Sequence, residues 1–349
     1  MSLPPVLPVP VRVGLIGAGR IGTFHATTLA RRLPQAELVI VADPADGAAQ
    51  RLAAPLGVEA TTDPDAVLAD ERVEAVAITC SSTAHAELVI RAAAAGKAVF
   101  CEKPMAMSVE EADAAIAACQ EAGVPLQVGF NRRFAADFAA AKRMVDDGAV
   151  GTPQLLRSLT RDPDLAHPTA VPAWTIFTQT LIHDFDALNW FNAGATAMEV
   201  HAMADALVAP DCRAAGLLDT AVVTIRYDNG ALATAEASFS AAYGYDVRAE
   251  IFGSAGMVTA GTPAQLPVRH WSSAGVAGPT ARADTELFSD AYAAELASFC
   301  QAVRNRTPPA VGGHDARAAL RIALACIASV QSGAPVRLDD IDEPSGAAA

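Results

Sequence analysis

The chain has 349 residues, 52% of them hydrophobic and 18% charged, which is enough to bury the cores of two domains. A formal net charge of −14 argues against a nucleic-acid partner, because an acidic surface repels phosphates instead of releasing their counterions. No uncharged apolar run is long enough to cross a bilayer, so no membrane partner is expected; the six cysteines show neither CxxC spacing nor a disulfide framework, and a reducing, cytoplasmic setting suits them best.

Residues 1–10 carry four prolines and no basic start, and read as a flexible lead-in rather than a signal peptide. Residues 11–16 then form a buried-strand run, followed at once by Gly17-Ala-Gly19-Arg20-Ile21-Gly22 and a helical stretch through Phe24, Leu29 and Leu33. Strand, glycine turn and helix in that order are the context of a dinucleotide fingerprint. Gly17 permits the tight turn, Gly19 lets backbone approach a pyrophosphate, and Gly22 lets helix and strand pack closely. A second strand at 37–42 ends in Asp43, 21 residues past Gly22, where a carboxylate would hold the adenine-ribose hydroxyls and favour NAD over NADP.

Strands are next expected at 73–79, 98–101 and 125–129, with helices at 83–95 and 108–122 between them; Asp63-Pro64 starts another short helix. Ser108-Val-Glu-Glu111 is a capping box, and Gly96 and Gly123 sit where helices end. Such alternation predicts an α/β fold whose residues 1–130 form a parallel, doubly wound (Rossmann) sheet with ligands beyond the carboxyl ends of its strands. Ser81, Glu102, Lys103, Pro104 and Asn131 all fall at those ends and His85 lies close by, so Ser81, His85, Glu102, Lys103 and Asn131 are candidate cofactor contacts beside Arg20 and Ile21 of the glycine turn. Of the 25 basic residues only Lys97, Lys103 and Lys142 are lysines, so Lys103 places a titratable cation where an arginine would be permanently charged. Pro104 biases it toward extended backbone.

From about residue 131 the pattern changes to one of an α+β domain spanning 131–349. A helix at 135–147 precedes strands near 153–161, 197–205, 221–226, 231–238, 246–252 and 266–271, with Tyr227-Asp-Asn-Gly230 as a hairpin turn. These predict an open, mostly antiparallel sheet with helices near 180–193, 285–304 and 314–331 on one face; residues 271–283 read as a loop without structure. Gln179 and His183, four apart at the start of an apolar helix, share one face. A histidine and a lysine converging on one hydroxyl can remove its proton while hydride leaves the same carbon. No His, Cys, Asp or Glu cluster has metal-ligand spacing, so no metal is expected.

Together, the motifs Gly17 to Gly22, Asp43, Gly96 to Pro104, Gln127-Val-Gly-Phe-Asn131-Arg-Arg133, Ile182-His-Asp-Phe-Asp186, Tyr243-Gly-Tyr-Asp246, Phe252-Gly-Ser254 and Ala291 to Leu296 make the chain resemble the Gfo/Idh/MocA oxidoreductases over nearly its whole length, closest to their inositol dehydrogenase branch. The resemblance implies an NAD-dependent enzyme in which Lys103 sits beside the reacting carbinol and His183 acts as acid/base. It further implies that Arg133 and Asp162 hold substrate hydroxyls, that Tyr243 or Tyr245 lines the pocket, and that the chain forms a homodimer or homotetramer. One departure stands out. Four residues before His183 that branch usually has an aspartate, and here Gln179 can orient the imidazole but not share its proton. Trp174 to Phe177 stands where a glycine pair is common. The small-molecule substrate is thus expected to be a cyclitol or sugar, or instead an aminoglycoside or amino-sugar intermediate, for which the acidic surface also speaks; a regulator that binds NAD without turnover is the third reading.

Overall fold

The computed structural model describes residues 9–263 and 268–341. Two compact units emerge: the first takes in the chain to Asn131 together with Asp290–Arg317, and the second takes in Arg132–Ser289 and the chain from Ala318.

In the first unit, six parallel strands run in the order β3-β2-β1-β4-β5-β6: β1 (Val11–Ile16), β2 (Ala36–Ala42), β3 (Glu59–Thr61), β4 (Ala75–Ile78), β5 (Ala98–Cys101) and β6 (Leu126–Val128). The crossovers carry α1 (Arg20–Arg31), α2 (Ala48–Ala53), α3 (Pro64–Ala69), α4 (His85–Ala94) and α5 (Val109–Ala122). The order reverses at β1, so the strand ends beside β1 and β4 open the crevice where such sheets bind ligands. Local chemistry sets the helix ends. The Asp63 side chain accepts from Asp65 N ahead of Pro64, and Ser108 Oγ accepts from Glu111 N at 3.2 Å while Glu111 reaches back to Met107 N at 2.9 Å. Gly123 ends α5 in the left-handed region at φ 65°, where a side chain would be strained.

The second unit holds α6 (Ala136–Asp146), β7 (Pro153–Arg161), α7 (Ile182–Phe191), β8 (Ala197–Asp205), β9 (Thr220–Tyr227), β10 (Leu232–Ser238), β11 (Asp246–Gly253) and β12 (Met257–Ala260). A small hairpin, β13 (His270–Ser272) with β14 (Gly275–Ala277), follows; then come α8 (Asp284–Leu287), α9 (Ser289–Asn305), α10 (Gly313–Ser332) and β15 (Val336–Arg337). The large sheet runs β12-β11-β7-β10-β9-β8-β15 and is antiparallel at every step except β7 to β10. Strict alternation of buried and open positions along β9 shows one face packed and one face bare. No described helix is long and apolar enough to cross a membrane.

Three expectations need correction. A single cut at residue 130 does not divide the chain, because α9 lays Leu296, Phe299 and Cys300 against Val13, Leu15, Leu29 and Phe100 in the first unit's core instead of covering the second sheet. Burying each such large side chain is worth about 1.5–3 kcal/mol relative to exposure, and the periodicity of α9 could not say which sheet would receive it. The segment read as structureless contains β13 and β14, although both strands are exposed. The expected strand at 266–271 lies partly outside the described residues, and what is described begins at His270 as part of that hairpin.

Candidate functional site

The glycine turn closes β1 against the end of β4. Gly17 adopts φ 108°, its N–H donates to Ala42 O at 2.8 Å, and Thr79 Oγ1 donates to Gly17 O at 2.8 Å. A Cβ on Gly17 would stand 2.5 Å from Cys80 N, and one on Gly22 only 1.8 Å from Gly17 O, so both positions exclude a side chain. At Gly19 a Cβ would meet nothing within 4 Å. That open space lies at the start of α1, whose first turn has no acidic residue and no side-chain cap. Exposed Arg20 opens the helix, followed by half-buried Ile21. The positive end of the helix and the missing side chain together fit a pyrophosphate. Asp43 arrives where expected: its Oδ2 accepts from Ala18 N at 2.7 Å and its Oδ1 from Ala45 N at 2.8 Å.

Beyond β4, Ser81 is exposed and pairs its hydroxyl with Thr83 at 3.0 Å. Buried His85 places Nδ1 2.7 Å from Pro104 O and Nε2 3.2 Å from Cys80 O, tying the ends of β4 and β5 together. Burial pushes its pKa below the usual imidazole value. His85 therefore braces the crevice from within, a different place from the ligand contact expected of it. Lys103 is half-buried just past β5 and joined to Pro104 by a cis peptide bond. Glu102, expected to face a cofactor, turns inward: Oε1 lies 2.7 Å from His25 Nε2, and Oε2 accepts from Lys103 N at 3.1 Å. Asn131 is buried in the turn after β6.

In the second unit, a π-helical turn (Ile176–Leu181) leads into α7 and carries Gln179, so α-helical spacing does not run unbroken from Gln179 to His183. Trp174 precedes it at φ 65°, a conformation strained for a bulky residue. Every residue from Ile176 to Leu188 is buried except Gln179 and His183, which are half-buried. The apolar helix thus presents these two polar side chains and hides the rest. Asp162 meets Tyr245, whose phenol is pushed well above its ordinary pKa by burial and then by the Asp162 charge, so it stays a hydroxyl. Tyr243 does not join them; it is 47% exposed, with its hydroxyl 2.7 Å from Asp246 Oδ2 and 3.3 Å from Arg161 Nη1.

Arg133 also departs from expectation. Its Nε and Nη2 grip Asp186 at 2.9 and 2.5 Å while the guanidinium stacks 5.6 Å from the Trp190 ring, so it braces α7. Beside it, Arg132 Nη1 donates to Asp184 Oδ1 at 2.7 Å and Nη2 to Thr160 Oγ1 at 2.5 Å; Thr160 passes its own proton to Asp184 Oδ2 at 2.7 Å, and Ser158 donates to Oδ1 at 2.5 Å. Asp184 and Asp186, the first held by Arg132, Ser158 and Thr160 and the second by both arms of Arg133, follow His183 and anchor the first turn of α7. Reading by chemistry-bearing type passed over Asp184, Asp186 and Arg132; acidic residues inside an otherwise apolar helix were the available signal. The spacing rule for metals also missed a cluster, since His25, Glu102 and Glu295, far apart in the chain, bring ligand atoms within 4.8 Å of one another.

The description "Oxidoreductase family, NAD-binding Rossmann fold" matches residues 11–130, and "GFO/IDH/MocA C-terminal domain" matches residues 138–259. The chain belongs to the Gfo/Idh/MocA oxidoreductase family. Residues 11–130 form the family's NAD-binding domain, and the side-chain-free space at Gly19 has room for the pyrophosphate of such a cofactor. Among similar Gfo/Idh/MocA proteins, scyllo-inositol 2-dehydrogenase (NAD(+)) of Bacillus subtilis is 37% identical, covering 94% of this chain and 96% of its own. Myo-inositol 2-dehydrogenase of Thermotoga maritima is 36% identical over 95% and 99%. The crystal structure of Lactobacillus casei scyllo-inositol dehydrogenase with bound NAD(H) and scyllo-inositol superposes with a TM-score of 0.90 at 28% identity, over 95% of this chain and 99% of that one.

Proposed function

We propose that the protein is an NAD-dependent dehydrogenase of a ring secondary alcohol, with an inositol isomer as substrate class, or that it reduces the corresponding ketone. The observation that carries this reading is end-to-end similarity to inositol 2-dehydrogenases, with Lys103, His183 and the Gly17 to Gly22 turn in place. The bound nicotinamide supplies the hydride acceptor. Lys103 takes the hydroxyl proton as the carbinol carbon is oxidised, and His183 serves as the accompanying acid/base. Asp162 and the Tyr245 hydroxyl hold neighbouring hydroxyls, one accepting and one donating. Gln179 orients by its amide without exchanging a proton. Arg133, Glu102 and His85 hold the elements that carry these groups.

A panel of myo-inositol, scyllo-inositol, glucose and an amino sugar, each with NAD and with NADP, tests the reading. An inositol isomer should give the highest kcat/KM, and NADP should work at least about tenfold less well, because its 2′-phosphate would meet the Asp43 carboxylate. The amino-sugar reading gains from Gln179 and the strained Trp174 and predicts the opposite ranking of substrates. Better turnover of the amino sugar would replace the cyclitol assignment, and better use of NADP would remove Asp43 from its role.

We also infer self-association through the bare face of the second sheet. Met257, Phe252, Leu155 and Leu232 are cross-strand neighbours on β12, β11, β7 and β10, and each is between 45% and 55% exposed. An apolar row across four strands fits a second copy in an isologous dimer, or a tetramer built from two. Sedimentation velocity should find a dimer or tetramer at micromolar concentration and a monomer for Leu155→Lys/Phe252→Lys; a monomeric wild type would refute the inference.

A further inference from the structure

Glu295, on α9, is fully buried in the first unit, and neither of its carboxyl oxygens has a hydrogen-bond partner. Its backbone is fixed, since Gln127 Nε2 on β6 donates to Glu295 O at 2.8 Å. The side chain faces His25 on α1 and Glu102 after β5, all three with polar atoms within 4.8 Å of one another. Around them stand Phe24, Phe100 and Tyr292, in T-shaped contact with His25 at ring-centroid distances of 5.4 to 6.2 Å. Two ionised carboxylates cannot share so dry a space.

The proton belongs to Glu295. Burial and the Glu102 charge push the Glu295 carboxyl well above the usual range. Burial works against ionised Glu102 too, but the hydrogen bond from His25, with the nearby charges of His25 and Lys103, holds it below its ordinary value. A metal ion fits less well. Nitrogen and oxygen ligands of a tetrahedral zinc stand about 3.3 Å apart, whereas His25 Nε2 and Glu102 Oε1 are 2.7 Å apart, a hydrogen bond's length.

We propose that Glu295 is a positioning residue: as a neutral carboxylic acid it donates toward the Glu102 carboxylate and, with His25, fixes that carboxylate where it holds the backbone N–H of Lys103. The packing is tight enough to transmit this, because Gly129 leaves only 3.1 Å between a would-be Cβ and Glu102 Cδ. The assignment of a catalytic part to Lys103 belongs to the proposed function, on which the kinetic half of the test rests; the protonation of Glu295 does not depend on it.

The test joins spectroscopy with two variants of the full chain. Infrared difference spectra between wild type and Glu295→Gln at neutral pH should show the carbonyl stretch of a buried carboxylic acid in the wild type alone. Glu295→Gln, which keeps a donor toward Glu102 without charge, should keep kcat within about threefold, whereas Glu295→Leu should lower kcat by about tenfold with KM little changed, as expected of a displaced catalytic group. Absence of the acid band, stoichiometric zinc in metal analysis of the purified protein, or equal loss in both variants would overturn the proposal. Should the wild type turn over no substrate, the proposed function fails while the band still decides the state of Glu295.

Discussion

Lys103→Met should lower kcat by on the order of 10³-fold while leaving the dissociation constant for NAD within about threefold. Methionine keeps the length and the apolar stem of lysine but has no group that can accept a proton. The half-buried lysine follows β5 directly, while the pyrophosphate-binding features belong to Gly17, Gly19 and Gly22 at the other side of the crevice, after β1. Loss confined to turnover is therefore the signature of a proton-transfer group, and loss confined to NAD affinity would mark Lys103 as a cofactor clamp. Stopped-flow NADH formation with the inositol isomer that the panel selects measures the first quantity, and fluorescence titration of NAD measures the second. A kcat within tenfold of wild type would remove Lys103 from the chemistry.

Asp184→Ala should destabilise the second unit by about 3–5 kcal/mol, the scale for breaking one partner of a buried ion pair. Three donors converge on this carboxylate: Arg132 and the hydroxyls of Ser158 and Thr160. Its removal leaves the Arg132 guanidinium, only 4% exposed, without its counter-charge. The loss should appear as a fall in Tm of about 10 °C by calorimetry. It should be partly reversed in Asp184→Leu/Arg132→Met, where both charges are gone. A fall below about 2 °C would mean that the network is dispensable. Activity of the single variant should fall even below its Tm, because the same carboxylate sets the first turn of α7 and hence the place of His183.

What could be read in advance had local causes. Gly17, Gly22 and Gly123 announce themselves because the backbone there admits no ordinary side chain, and Ser108 with Glu111 because a helix start needs its N–H groups answered within one turn. Strand boundaries at 153–161 and 197–205 agree with the structure, since buried and open positions along a strand are written in adjacent residues.

Tertiary structure alone decided the rest. Whether α9 would cover one sheet or the other depended on which core had room for Leu296 and Phe299. The family resemblance gave Arg133 to a substrate hydroxyl; a carboxylate 53 residues later, Asp186, pairs with it in the fold. Nothing near His25 in the chain hints at Glu102 or Glu295, yet their meeting in a dry interior forces one carboxyl to keep its proton. The chain alone fixed turns, caps, alternation and the family likeness, which depend on neighbouring residues and covalent geometry. The choice of charge partners and the protonation of buried acids depended on groups that meet only after folding, where loss of water makes each encounter count.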